Sequence, residues 1–419
     1  MEKLKFLDNN KVRLIAGKFG SPVFVYDEVS LLKSASEALS FPNAYGITVR
    51  FSMKSLPDKT ILKLLHTRGL EIDASSGFEA QRAILAGIPP QHIQITAQEF
   101  PSDLKYLIEK GVKFVACSLN QIEQYGKLFP NTSPGVRINP GLGSGHSNRC
   151  NVGGPSSSFG IWYEYIPEVQ KILKKYHLTL KTLHTHIGSG SDPLIWKKVA
   201  LMSLKLVETF PGVEILNLGG GFKVGRMSYE KSTNMRQCGL PVKKAFIDFF
   251  KKTGRKLHLE IEPGTFLTAK NGSIIARIMD IVNTGKTGFN FIKLNTGMTE
   301  VARPTLYGAQ HPIIHVPLSP KNDNKKTQKL YMVSGHCCES GDILTPKPGC
   351  PEELAPRKFP VPEINDLMVI EGSGSYCASM CTKNYNSFPE AAEILITKNG
   401  NLKLIRKRQS MEQMVQNEL

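Results

Sequence analysis

Two hydrophobic periods trade places along the first two-thirds of the chain. Short runs rich in β-branched and aromatic residues, at 21–26, 47–52, 70–72, 92–95, 113–117, 134–138, 180–186, 213–218 and 257–261, read as strands. Between them, 28–39, 58–66, 77–86, 102–109, 119–129, 166–175 and 196–208 carry apolar residues at helical spacing. Short strands alternating with amphipathic helices predict parallel βα units. Their number approaches eight, which favours a closed (β/α)8 TIM barrel over an open doubly wound sheet. Past Gly264 the texture changes to strands without long helices between them, at 273–282, 289–294, 330–334, 367–371, 392–396 and 402–406. The loops between Pro304 and Pro362 are rich in proline and glycine. The chain therefore reads as α/β plus β, a TIM barrel followed by an all-β domain.

Composition narrows the class. With 41% hydrophobic and 21% charged residues in 419, the chain has enough apolar material to fold, which excludes disorder for most of it. No uncharged apolar run is long enough to cross a bilayer, and the opening MEKLKFLDNNKVR lacks the apolar core of a secretory signal, so neither membrane insertion nor export is expected. Eight cysteines at irregular spacings suit a reducing compartment, which predicts a cytoplasmic protein. No CxxC pair occurs, and the Cys337-Cys338 doublet is too tight for two ligands of a zinc cage, so no metal is expected. The net charge of +17 raises the question of nucleic acid, but the basic stretches at 243–256, 321–329 and 403–408 are far apart in sequence. Only the first holds aromatics, and Phe246, Phe249 and Phe250 have the spacing of a helix's buried face. The charge is read as solvated surface, with no nucleic-acid partner.

The active sites of TIM barrels lie at the C-terminal ends of the strands. Lys54 ends VRFSMK, His186 closes the strand that runs into HTHIGSG, Gly219–Gly221 follow the strand in NLGGGF, and Glu262 ends the strand in LEIEPG. A lysine there can form a Schiff base with a carbonyl. The turns Gly188-Ser189-Gly190 and Gly219–Gly221 leave backbone N–H groups open to an anion such as phosphate. Each feature alone has a plainer reading: a surface lysine, glycines that end strands for steric reasons, a salt-bridged glutamate, a satisfied histidine. Together, a lysine for an aldehyde, a phosphate cradle and a carboxylate for a ring nitrogen are what pyridoxal 5'-phosphate (PLP) requires.

With FVYD (24–27), VRFSMK (49–54), RINPG (137–141), FGIW (159–162), HTHIGSG (184–190), GGGF (219–222), EIEPG (260–264), RPTLYG (303–308), CESGD (338–342) and SYCASMCTKNYN (375–386), the chain resembles the group IV, fold-type III PLP-dependent decarboxylases over nearly its whole length. Within them it is most similar to the diaminopimelate decarboxylase family. The resemblance implies a PLP-binding barrel over 41–268, a C-terminal β-barrel or sandwich domain over 269–419, and an N-terminal segment, 1–40, whose strand joins that β domain. It implies an amino-acid substrate, meso-diaminopimelate, converted to L-lysine and carbon dioxide. Lys54 would hold PLP, His186 would stack on its ring, and Ser189, Gly221, Gly264 and Tyr376 would bind its phosphate. Glu262 would keep the ring nitrogen protonated. Cys338 would protonate Cα, Glu339 would meet the distal ammonium, and Arg303, Tyr307 and Tyr376 would complete the substrate site with position 265. Because this family supplies CESGD from the second subunit, a homodimer with shared active sites is implied as well.

The match is not uniform. Where the family reads EPGR, position 265 is Thr265, so one of two cationic contacts to the substrate's distal carboxylate is missing. SSFG replaces SKFG at 157–160, NTGM replaces DAGM at 295–298, GHCCESGD replaces GPLCESGD at 335–342, and Lys383 is an insertion before NYN. These departures leave the decarboxylase chemistry intact and bear on the substrate: D-lysine or D-ornithine, which lack the distal carboxylate, are the alternatives. A PLP-binding regulatory protein is the alternative outside enzymes, and the retained Cys338 argues against it.

Overall fold

The computed structural model describes residues 2–143, 152–188, 190–323 and 327–419. The chain forms two compact units, one of Leu32–Val224 and Lys231–Leu267, the other of Met1–Leu31, Gly225–Glu230 and Thr268–Leu419. Its first strand, β1 (Val23–Asp27), belongs to the second unit, while β2 (Ile47–Ser52), β3 (Glu71–Ala74), β4 (Ile93–Thr96), β5 (Lys113–Ala116), β6 (Gly135–Asn139), β7 (Ile161–Trp162), β8 (Thr182–Thr185), β9 (Ile215–Asn217) and β10 (His258–Ile261) build the first. Eight of them form a parallel ring in the order β2, β3, β4, β5, β6, β8, β9, β10, with β7 as an extra parallel strand on β6, and β10 pairs back onto β2 with Leu259 opposite Ile47 and Ile261 opposite Val49. This closed ring is the TIM barrel that the strand–helix alternation predicts.

Helix starts are written locally. Asp58, Ser76, Ser118, Asp192 and Asn234 each accept a backbone N–H from the first turn of the helix that follows, for Lys59–Thr67, Gly77–Leu85, Leu119–Leu128, Pro193–Glu208 and Met235–Thr253. Such a cap is typically worth ~1 kcal/mol. The last of these helices is longer than the basic stretch 243–256 suggests, and it buries Phe246 and Phe249 while Phe250 stays half-buried.

The second unit is a nine-stranded sheet. It contains β1, β11 (Gly272–Asn283), β12 (Asn290–Leu294), β13 (Ile313–Val316) and β14 (Gln328–Ser334). The two short strands β15 (Pro346–Lys347) and β16 (Cys350–Leu354) pair only with each other, and β17 (Arg357–Pro360), β18 (Leu367–Glu371), β19 (Ala392–Ile396) and β20 (Leu402–Arg406) complete the sheet. β11 is its spine: its first half pairs with β1 and β18, its second with β12. β1 also lies parallel to β19, Val25 opposite Ile394, so the N-terminal strand is an interior member of this sheet. Its side chains Val23 and Val25 sit in a core with Val12, Ile15, Ile275, Val369 and Ile394, and Val12 and Ile15 come from the helix Asn9–Phe19. That helix was not among the elements the apolar spacing marked.

Candidate active site

Polar side chains fill the barrel interior where alternating strands would ordinarily supply aliphatic ones. Arg50 on β2 is fully buried and donates to both carboxylate oxygens of Glu260 on β10, at 3.1 and 2.7 Å, with Glu71 at 2.6 Å from its other terminal nitrogen. Burial works against the charge of Glu260, but the Arg50 guanidinium outweighs it and holds the carboxyl below its ordinary value. Asn217, at the end of β9, is the link to the next layer. Its amide donates to Glu262 at 2.7 Å and to Glu260 at 3.2 Å, and its carbonyl oxygen accepts the Gly219 N–H at 2.8 Å.

Glu262, just past β10, is therefore pinned rather than merely present. Besides Asn217 it accepts from the amide of Gln94 on β4 at 3.3 Å, and His184 Nε2 lies 3.4 Å from its second oxygen. Burial, and after it the nearby Asp73 carboxylate, push its pKa up to about 8. Asp73 is itself raised by burial, opposed by the ammonium of Lys54. The Ser52 hydroxyl lies 3.0 Å from Asp73 Oδ2 and 3.1 Å from the Glu262 carbonyl oxygen. Lys54 sits two residues past β2 in the single turn Met53–Ser55, with its side chain exposed. His186 follows β8 and is half-buried; burial, then the charges of Arg137 and Lys54, drive its pKa well down, so the ring is neutral near pH 7. Lys54 bears electrostatically on both His184 and His186, and His184 in turn lies against Glu262.

The glycine turn after β9 is required by its surroundings. Gly219 and Gly221 have φ of +68° and +89°, the left-handed region that disfavours side chains. A Cβ on Gly219 would stand 2.6 Å from that of His186, and one on Gly220 would stand 2.4 Å from the Glu262 carbonyl oxygen. The N–H groups of Gly220 and Gly221 meet no acceptor among the described residues. Gly264 packs its Cα side against Ser52 and Ser55. Ser189 lies outside the described residues, between Gly188 and Gly190.

Of the remaining sequence-marked residues, all but Thr265 belong to the sheet unit. Arg303 and Tyr307 begin and end one short helix, Arg303–Tyr307, and both are half-buried. Cys338 and Glu339 are exposed. Their loop is stapled from below by Asp342, whose carboxylate accepts the N–H of Met298 at 2.7 Å and of Cys337 at 2.9 Å, and the Cys338 N–H donates to Asn386 Oδ1 at 2.8 Å. Tyr376 is half-buried with φ of +55°, strained for a residue with a side chain. Thr265 is half-buried at the start of Thr265–Thr268 in the barrel unit.

Sequence reading missed Asn217, Gln94, Asp73 and His184. Each is a buried polar residue on a barrel strand, Asp73 just past the marked run 70–72, and a polar side chain on the inward phase of a buried strand needs a partner, and partners cluster.

The model for the pyridoxal binding domain of pyridoxal-dependent decarboxylases matches residues 31–269. The diaminopimelate decarboxylase of Buchnera aphidicola subsp. Schizaphis graminum is 33% identical over 413 residues, 98% of this chain and 96% of the relative. That of Escherichia coli strain K12 is 32% identical over 416 residues, again 98% and 96%. A crystal structure of a diaminopimelate decarboxylase superposes with a TM-score of 0.91 at 30% identity, covering 99% of this chain and 97% of the other. The lysine/ornithine decarboxylase of Vibrio vulnificus, complexed with putrescine, is 18% identical and shares the fold, with a TM-score of 0.75 over 94% and 100% of the two chains.

Proposed function

We propose, because this chain belongs to the diaminopimelate decarboxylase family and is a pyridoxal-dependent carboxy-lyase, that it takes meso-diaminopimelate and releases L-lysine and carbon dioxide. The observation that carries the reading is the state of Glu262. A carboxyl raised to about 8 by burial and anchored by Asn217 and Gln94 holds a charge only opposite a cation, and a protonated ring nitrogen is such a cation. The open N–H groups of Gly220 and Gly221, in a turn that a Cβ would fill, suit a phosphate. The residues present therefore fit pyridoxal phosphate.

Lys54 would hold the cofactor covalently, with Glu262 on its ring nitrogen, the neutral His186 ring stacked on it, and Gly221, Gly264, Ser189 and Tyr376 on its phosphate. Bound there, the cofactor supplies an electron sink for the pair left when the carboxylate departs. The chain's own residues do the rest. His186, kept neutral, covers the ring without adding a like charge beside Lys54. Arg303 and Tyr307 bind the distal carboxylate and Glu339 the distal ammonium, which leaves the Cα–carboxylate bond as the one to break. As carbon dioxide leaves, the Cys338 thiol gives its proton to Cα and regains one from water. Cys338 and Glu339 stand exposed on their own chain, which is what a pair serving a partner subunit's site requires; the reading includes a homodimer with shared sites.

Thr265 favours the competing substrate class, a D-diamino acid without a distal carboxylate. Incubating the PLP-loaded protein separately with meso-diaminopimelate, D-lysine and D-ornithine, with carbon dioxide and product identified by mass spectrometry, decides between them. Turnover of meso-diaminopimelate to L-lysine supports the proposal; turnover only of D-lysine or D-ornithine overturns it.

A further inference from the structure

In the sheet unit, Arg226 and Arg303 lie within electrostatic reach of each other, and neither has an ion-pair partner among the described residues. Arg226 belongs to this unit through the short segment Gly225–Glu230 and is 6% exposed. Its Nε donates to the Gly372 carbonyl at 2.8 Å, and its stem lies on Gly372, where a Cβ would come within 3.0 Å of Arg226 Cγ. Gly372 has φ of +69°, so the turn that admits the arginine stem is itself built on glycine. The side chain is thus held in place, yet Nη2 is buried and bonds to nothing among the described residues.

The neighbours do not neutralise the pair. Arg303 Nη1 lies 3.3 Å from His311 Nε2, and His311 Nδ1 lies 3.0 Å from the Glu371 carbonyl oxygen. A carbonyl only accepts, so Nδ1 carries the ring proton and Nε2 presents its lone pair to Arg303; His311 is neutral. Burial, then Arg226 and Arg303, drive its pKa well down, in agreement. The carboxylates at hand are occupied: Glu230 accepts the backbone N–H of Arg226 and Met227, and Glu371 accepts the N–H of Lys5 and the Ser273 hydroxyl. Burial, and then the charge of Arg303, bring Arg226 down to about 9, a guanidinium short of an anion.

We infer that Arg226 is a specificity-determining residue that joins Arg303 in binding the substrate's distal carboxylate, supplying from position 226 the second guanidinium that the family carries at 265. A carboxylate is the group whose two oxygens match guanidinium donors, and it would occupy the buried Nη2 that the protein leaves open. The inference rests on the proposed substrate and extends it. It also removes the argument that Thr265 makes for a substrate lacking the distal carboxylate.

The test uses PLP-loaded protein and two competitive ligands that differ by one carboxylate, L-lysine and cadaverine. Arg226→Gln should weaken L-lysine about ten- to a hundredfold, as losing a charge-assisted hydrogen bond does, and leave cadaverine within about twofold. kcat/KM for meso-diaminopimelate should fall by the same factor as L-lysine affinity. Arg226→Lys keeps the charge and most of the stem, serves where Arg226→Gln does not fold, and should lose selectivity by a smaller factor because a lysine has no fork. An L-lysine to cadaverine affinity ratio unchanged in either folded variant overturns the inference. Failure of the wild-type protein to turn over meso-diaminopimelate would instead overturn the substrate reading, and the two outcomes are separate measurements.

Discussion

Removing the Asn217 side chain tests whether the barrel interior is built around Glu262. Asn217→Ala deletes the donor to Glu262 at 2.7 Å and to Glu260 at 3.2 Å, and the acceptor of the Gly219 N–H at 2.8 Å, all inside a residue with no solvent exposure. A hydrogen bond to the charged Glu260 contributes ~1.5–3 kcal/mol, one to the mostly protonated Glu262 ~0.5–1.5 kcal/mol, and a buried N–H left without a partner costs ~1–3 kcal/mol. One side chain makes all three contacts, so they do not add; ~3–5 kcal/mol off the stability of the barrel unit is the reasoned total. Urea unfolding followed by far-UV circular dichroism, with m compared between variants, measures it. The same substitution frees the Gly219–Gly221 turn and leaves Glu262 with Gln94 as its remaining amide donor, so PLP affinity should fall as well. Asn217→Asp keeps the acceptor for Gly219 but places a third carboxyl beside Glu260 and Glu262, so it should be worse at pH 8 than at pH 5. A loss under ~1 kcal/mol for Asn217→Ala, the size of an ordinary surface substitution, would refute the claim that Asn217 organises the site.

Three further outcomes are expected. Glu262 has a folded-state pKa raised from 4.5 to about 8, so the folded protein binds the extra proton between those values and loses stability as pH rises through that window; below it both states are protonated and the effect is gone. Without cofactor, Glu262→Gln should therefore be more stable than wild type at pH 8 and level with it at pH 4, while binding PLP more weakly; equal thermal stability at pH 8 would contradict the raised pKa. The protein should take up PLP and absorb in the visible region, and Lys54→Ala should remove that band; a variant retaining it would place the covalent attachment elsewhere. Mixing inactive Lys54→Ala and Cys338→Ala proteins should restore part of the activity if sites are shared between subunits, and no recovery under conditions of proven subunit exchange would put Cys338 outside its partner's site.

What the sequence determined by itself is what depends on neighbours along the chain. Period-2 and period-3.6 runs marked the eight barrel strands, and Asp58, Ser76 and Ser118 announce their helices a residue ahead, because a cap acts over one turn. Lys54, His186, Gly219–Gly221 and Glu262 were legible for the same reason, each lying just past a strand end, and the structure brings them to the C-terminal ends of their strands. Only the tertiary structure decided the pairings that join distant segments. β1 lies between β11 and β19, and β10 closes onto β2, through backbone hydrogen bonds that carry no side-chain signature. Asn217 links Glu260 to Glu262 because β9 and β10 are neighbours in the barrel, and its amide could not be told from a solvated one before that placement. Arg226 is the sharpest case. Read along the chain it is one of 53 basic residues in a protein of net charge +17, most of which are solvated. Folding buries it on Gly372, next in charge to Arg303, and a guanidinium withdrawn from water without an anion acquires a requirement that the same residue on the surface does not have.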